Sequence, residues 1–337
     1  MNTKKKTKPV ITFSVVIPTR KINDYIREAI PYHLNQKYQN FEIIILTEAN
    51  EKEKFPKTRI IKVGQIPPSE KRNIGVEASR GKIIAFIDDD AYPEKDWLEN
   101  AVKEFEDEKV VGVGGPGLVP RGASFFQKVS NEVYKLSSPK TGIRYGKGKR
   151  KIVEDWLTCN LFVRRKDFLD VGGFNSKYWG GEDTQVCYEL TKNGKKIIYN
   201  PGVVVYHHPR KNLKAHLRQT LFWAMWRGFL VRCYPKDSTR LTFFAPSLLV
   251  LWLFFGGFLS LISKNFGYLY LGVFILYFIF LFAVGIRTKS LKLFFPVIFV
   301  MVLTQLIYGV GFLKGIVFGE PTKETFNPSE KIKIKQN

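Results

Sequence analysis

Cysteine, histidine and acid are all scarce in this chain. Its three cysteines, Cys159, Cys187 and Cys233, are odd in number and scattered over 337 residues. That pattern argues against a disulfide framework, and with no paired spacing it argues against a structural zinc site. Acidic residues number 30 against 53 basic ones, a formal charge of +23. Such an excess suits nucleic acid, yet there is no zinc finger, arginine-rich recognition helix or aromatic platform motif, so no nucleic-acid partner is expected. The opening MNTKKKTKPV leads into a strand-like segment and not into an apolar stretch, so no cleavable signal peptide is expected.

What is abundant is unevenly spread. Only nine basic and three acidic residues follow residue 240, so the first 240 residues carry +17 of the net charge. The later part holds three uncharged runs, Phe243 to Ile262, Phe266 to Ile286 and Leu293 to Leu313. Each has the roughly 20 residues that a helix needs to cross ~30 Å of hydrocarbon, and three transmembrane helices are expected. The connector RTKSLK (Arg287 to Lys292) carries three positive charges against the single Lys264 of the other turn. By the positive-inside rule the connector is cytoplasmic, as is the N-terminal portion, in a multi-pass protein of the cell membrane. Beside such helices, the basic excess points to anionic headgroups or a phosphorylated substrate.

The first ~115 residues alternate short β-branched runs (FSVVI, FEIIIL, RIIKV, KIIAFI, VVGVG) with stretches of helical pattern. That alternation predicts an α/β fold with a Rossmann-like, mostly parallel sheet covered on both faces. Further on, WLTCNLFVRR reads as a strand and GGEDTQVCYELTKNG as a helix stopped by Gly194. KKIIYNPGVVVYHH reads as two strands about a turn. SSPKTGIRYGKGKRK is a basic loop, and KNLKAHLRQTLFWAMWRGFLVR suits an amphipathic helix in the headgroup layer. The expected organisation is a basic tail (1–12), an α/β domain (13–210), an interfacial segment (211–240), a transmembrane region (241–318) and a tail (319–337). His33 and His216 read as ordinary surface positions.

Two motifs can carry chemistry. KIIAFIDDD runs a buried strand into Asp88, Asp89 and Asp90. Alternation sends Asp88 and Asp90 to one side, where they can share a divalent cation, and turns Asp89 away. Mn²⁺ or Mg²⁺ suits such carboxylates, with positions left open for substrate phosphates. The bland alternative is a solvated turn that caps the next helix. In WGGEDTQ, Glu182 and Asp183 open a helix, where the macrodipole alone would favour them; a carboxylate there could also take a proton from a hydroxyl.

In this order and setting, the motifs resemble the family 2 glycosyltransferases of GT-A fold, over about two thirds of the chain. SVVIPTR is similar to that family's opening strand and base-contacting turn, which implies donor roles for Pro18, Thr19 and Arg20. EKRNIGVEASRGKIIAFIDDD is similar to its central segment. Arg72, Asn73, Asp88 and Asp89 are then implied near the donor, with Asp88 and Asp90 as the metal-binding Asp-x-Asp. GGEDTQ matches the Glu-Asp motif, which makes Asp183 the catalytic base beside Glu182. The resemblance also implies that His207 or His208 reaches the metal or the diphosphate. Trp179, Gly181, Gln219, Trp223 and Arg227 are implied on the acceptor side. After the second strand, IIILTEAN keeps only Glu48 of the family's acidic pair. QTLFW has Phe222 where processive synthases carry arginine, which points away from processive polymerisation, with Arg227 one turn later the nearest substitute.

The resemblance implies a membrane-bound, metal-dependent, inverting transfer from a nucleotide-sugar donor to a lipid-linked or polysaccharide acceptor, as in cell-envelope polysaccharide biosynthesis. Two rivals are a non-catalytic nucleotide-binding membrane scaffold and a nucleotidyltransferase of similar fold. VVIPTRKIND lacks the glycine that the second would need in a phosphate loop.

Overall fold

The computed structural model describes residues 12–137, 142–178, 180–233 and 241–319. They divide into two compact units, with residues 122–142 grouped with those from 209 onward.

In the first unit, β1 (Phe13–Pro18), β2 (Phe41–Thr47) and β4 (Ile83–Ile87) are buried along their whole length. With β3 (Thr58–Lys62) they form the parallel run β3-β2-β1-β4. Strand alternation sends Phe13, Val15, Ile17, Ile43 and Ala85 into one core, and Val16, Ile44, Leu46, Ile84 and Phe86 into another. Strands buried along their whole length are what a sheet covered on both faces requires. The remaining strands are β6 (Val110–Gly114), β8 (Lys151–Val153), β9 (Asn160–Arg164) and β10 (Lys196–Tyr199). β9 enters between β4 and β6, antiparallel to both, so the sheet is mixed, with the order β3-β2-β1-β4-β9-β6-β10-β8. A second sheet places β11 (Val205–His207) between β5 (Ala91–Pro93) and β7 (Gly117–Leu118). The helices are α1 (Asp24–Leu34), α2 (Pro68–Glu77), α3 (Trp97–Glu104), α5 (Arg165–Asp170) and α6 (Glu182–Thr191).

The second unit is helical: α4 (Phe125–Ser137), α7 (Leu213–Cys233), α8 (Leu241–Ile262), α9 (Lys264–Arg287) and α10 (Leu291–Phe318). The last three have mean hydropathies of 2.0, 2.6 and 2.2 and face mostly outward, and each is long and apolar enough to cross a membrane. α7 lies along α10 on a seam of small residues. A Cβ at Gly228 would stand 2.2 Å from the Phe312 carbonyl oxygen, and one at Gly315 2.1 Å from that of Met225.

The surface placement expected of two histidines fails. His216 is fully buried between α4, α7 and α10. Thr304 Oγ1 donates to the Val300 carbonyl, so it accepts from His216 Nε2 at 2.9 Å. Nδ1 therefore carries no hydrogen and accepts from Ser130 Oγ at 2.8 Å. Burial pushes the His216 pKa down to about 4. His33 is buried edge-on to Trp97, 6.0 Å between ring centroids, with its pKa lowered by burial to about 3. Both lie on the face of their helix that is turned to the core.

Candidate active site

The site forms where β4 leaves its sheet, at the carboxyl end of a parallel strand, the usual place for ligands of such sheets. Antiparallel pairing sets His207 of β11 opposite Ala91 of β5, which brings the ring beside Asp90. His207 Nε2 stands 3.0 Å from Asp90 Oδ1. Ligand atoms of Asp88, Asp90 and His207 all lie within 4.8 Å of one another, and all three side chains are partly open to solvent. Two carboxylates and an imidazole gathered this closely, each partly open to solvent, fit a divalent cation that retains open positions. Asp89 turns the other way and accepts from Thr19 Oγ1 at 2.7 Å and Asn23 Nδ2 at 2.8 Å. Burial pushes its carboxyl pKa up, Asp88 and Asp90 add to that, and Thr19 opposes it.

Arg72 of α2 ties this cluster to α6. Its buried guanidinium contacts Asp88 Oδ1 at 2.8 Å and Glu182 Oε1 at 3.5 Å. Glu182 Oε2 accepts from the Gly180 N–H at 2.6 Å. Asp183 follows in the first turn of α6, and its Oδ1 accepts from the Thr184 N–H at 3.0 Å. β9 pairs Asn160 with Ile87, so Cys159 falls opposite Asp88. Burial pushes the Cys159 thiol well above its ordinary pKa, and the charges of Asp88, Asp90 and Asp183 push it further.

The remaining predicted residues sort by position. Pro18, Thr19, Arg20 and Glu48 meet at the ends of β1 and β2. There the buried Lys71 ammonium donates to the Thr19 carbonyl (2.7 Å) and to Glu48 Oε1 (3.0 Å), and the Glu48 N–H donates to the Arg20 carbonyl. Asn73 is occupied elsewhere, since its side-chain amide donates to the Phe174 carbonyl and accepts from the Phe174 N–H. The His208 N–H donates to the Asp90 carbonyl at 3.0 Å, but its ring is engaged elsewhere, with Nε2 3.0 Å from Glu28 Oε2 and the ring beside Tyr25. Gly181 is the N-cap of α6. Trp179 lies outside the described residues, as do Lys140 and Thr141 of the basic loop. Gln219, Trp223 and Arg227 belong to α7 in the second unit. There Gln219 accepts from Arg210, Trp223 packs on Tyr134, and Arg227 lies 4.7 Å over the Phe243 ring.

Sequence reasoning missed Cys159, Arg144 and Asp155. Arg144 Nη2 meets Asp155 Oδ1 at 2.7 Å, and burial of the guanidinium is offset by Asp155, Tyr145 and Asp183, so its pKa is raised. None of the three belongs to a motif, and the β4/β9 register that places Cys159 is not written in local pattern.

Comparison with known proteins bears on the fold and the family. A dolichyl N-acetyl-alpha-D-glucosaminyl phosphate 3-beta-D-2,3-diacetamido-2,3-dideoxy-beta-D-glucuronosyltransferase of Methanococcus voltae is 24% identical over 92% of this chain and 98% of its own length. A glucosyl-dolichyl phosphate glucuronosyltransferase of Haloferax volcanii is 29% identical over 67% of this chain and 79% of its own. The fold is similar to that of the mannosyltransferase PcManGT of Pyrobaculum calidifontis, solved in complex with GDP-Man and Mn²⁺. That likeness has a TM-score of 0.61 and 16% identity, and it covers 93% of this chain and 91% of the other. The family described as glycosyltransferase like family 2 matches residues 9–225, well over half of the chain. With a GT-A-like domain, acids at the end of β4 and that match, the chain belongs to the family 2 glycosyltransferases.

Proposed function

We propose that the protein transfers a sugar from a nucleoside diphosphate donor to a hydroxyl of a lipid-linked glycan, with inversion at the anomeric carbon. The observation that carries this reading is the cluster of Asp88, Asp90 and His207 at the end of β4, joined through Arg72 to Glu182, the residue before Asp183 in the first turn of α6. Asp88, Asp90 and His207 would hold Mn²⁺ or Mg²⁺, which when bound supplies Lewis-acid neutralisation of charge on the departing diphosphate. Arg72 orients Asp88 and adds positive charge beside the same phosphates. Asp183 accepts the proton of the attacking hydroxyl as the glycosidic bond forms. A single displacement between opposed groups inverts the sugar carbon.

The names of the two archaeal relatives support dolichyl-phosphate-linked sugars as the acceptor class, and the apolar α8 to α10 suit a polyprenyl chain. The basic connector between α9 and α10 supports a cytoplasmic catalytic unit. A nucleotide-binding scaffold is disfavoured by the complete acid set, and a nucleotidyltransferase by the absence of glycine in VVIPTRKIND.

The test is turnover by the full-length chain in detergent. UDP-glucuronic acid, UDP-N-acetylglucosamine and GDP-mannose are offered with a polyprenyl-phosphate-linked sugar, with and without Mn²⁺. The expected result is metal-dependent transfer with inverted product, abolished in Asp183→Asn while donor binding persists. Retained anomeric configuration, or near-normal transfer by Asp183→Asn, would overturn the mechanism.

A further inference from the structure

Asp155, in the connection from β8 to β9, joins two parts of the site through one carboxylate. Its Oδ1 accepts from Arg144 Nη2 at 2.7 Å, and its Oδ2 from Thr184 Oγ1 at 3.1 Å. Thr184 follows Asp183 in the first turn of α6. One turn later, Cys187 Sγ reaches the Trp156 carbonyl at 3.8 Å. Residues three apart share a helix face, so the Asp155–Trp156 dipeptide grips α6 at two points on one side. The grip is anchored in turn. Trp156 is buried and donates through Nε1 to the Gly115 carbonyl at 3.0 Å, and Arg144 lies 5.6 Å over its ring.

A helix begins with N–H groups that have no partner within the helix, and its first turn frays unless something outside holds it. The N-cap of α6 is Gly181, which has no side chain to cap with, and within the first turn the Asp183 carboxylate itself accepts from the Thr184 N–H at 3.0 Å. That bond lies inside the turn, whereas the Asp155–Thr184 bond ties the turn to the connection from β8 to β9. We propose that Asp155 is a positioning residue for Asp183: its carboxylate fixes the first turn of α6 and so aims the base at the acceptor hydroxyl. Arg144 holds the opposite oxygen and keeps the carboxylate from swinging away. The inference rests on the reading of Asp183 as the base.

The experiment uses the full-length chain with the donor and acceptor that support turnover in the panel above. Asp155→Ala is expected to lower kcat about 100-fold, the scale of a misplaced reacting group. Thr184→Val, which removes the tie but keeps the Asp155–Arg144 pair, should cost about 10-fold, and Asp155→Asn, whose amide oxygen still accepts, less again. Donor and Mn²⁺ affinities should stay within about two-fold throughout, since only the orientation of the base is lost. Asp155→Ala combined with Asp183→Asn should be no slower than Asp183→Asn alone, because a group acting through Asp183 then has nothing left to act on. Wild-type turnover in Thr184→Val, or losses that multiply in the double variant, would overturn the proposal. If Asp155→Ala does not yield folded protein, Thr184→Val decides. Failure of the base reading is seen separately, as an active Asp183→Asn.

Discussion

Two histidine clusters, one in each unit, are built from similar parts to opposite ends. At His216 every hydrogen-bonding group is matched: Ser130 donates to Nδ1, Nε2 donates to Thr304, and Thr304 donates to a backbone carbonyl. At His207 the surplus lies with the acceptors, two carboxylates beside one imidazole on a half-open face. A closed network in a dry core stabilises one arrangement of helices. A cluster of acceptors partly open to solvent at the end of a strand is where a cation and a diphosphate can enter. The difference teaches that histidine or acid content alone does not mark the working site. Ligand atoms clustered where solvent reaches them do.

The sharpest way to break this contrast is to remove one open ligand. Asp90→Ala should lower transfer by at least about 10³-fold and abolish the metal dependence of donor binding, as loss of electrostatic stabilisation at the leaving group requires. Titrating donor with and without Mn²⁺ checks it, and a surviving metal effect would mean that the open cluster lies elsewhere. His207→Ala should be milder, with Mn²⁺ affinity falling about 10- to 100-fold and transfer recovering at high metal. His208→Ala is the control. Its ring is held by Glu28, so metal affinity should be unchanged, and an equal loss in both variants would erase the distinction between them.

How far the sequence reached can be judged on the same residues. Asp88 and Asp90 were legible because strand alternation is local, and Asp89 was turned away by the same rule. The apolar helices were legible because twenty uncharged residues have few other uses. His207 could not be separated from His208, because the choice depends on the register of β11 against β5, a pairing between segments over a hundred residues apart. β9 was read as a strand, but its antiparallel entry between β4 and β6, which makes the sheet mixed and places Cys159, is likewise non-local. His216 was misjudged because charged neighbours on one helix face say little about the face that packs on α4 and α10.

The closed cluster makes its own prediction. His216→Ala leaves Ser130 and Thr304 without their partner in a dry cavity and should cost about 2–4 kcal/mol of stability. Metal-dependent donor binding, read on the folded fraction, should stay near wild type. The folded pKa of about 4 lies below the unfolded value of 6.5. The stability from burying the neutral ring is therefore complete above pH 6.5 and is lost as pH falls toward 4, at up to about 1.4 kcal/mol per pH unit. Thermal melting between pH 7 and pH 4 should show a shallower acid decline in His216→Gln than in wild type. An identical slope would mean that His216 is not buried neutral.

The smallest effect sits inside the open cluster and tests whether openness belongs to each acid or to the group. Asp89 lies between the clustered Asp88 and Asp90, but its Oδ2 is taken by Thr19 and Asn23, and Asn23 also caps α1 by accepting from the Ile26 N–H. Its valence is filled, in the manner of His216. Asp89→Asn keeps an oxygen that can accept from both donors and loses only the charge, so it should cost about 1 kcal/mol in stability, with turnover and Mn²⁺ affinity close to wild type. Metal titration of Asp89→Asn beside Asp90→Asn checks it. If the two variants lose metal equally, the three aspartates act as one pool of charge, and the orientation of each carboxylate matters less than their number.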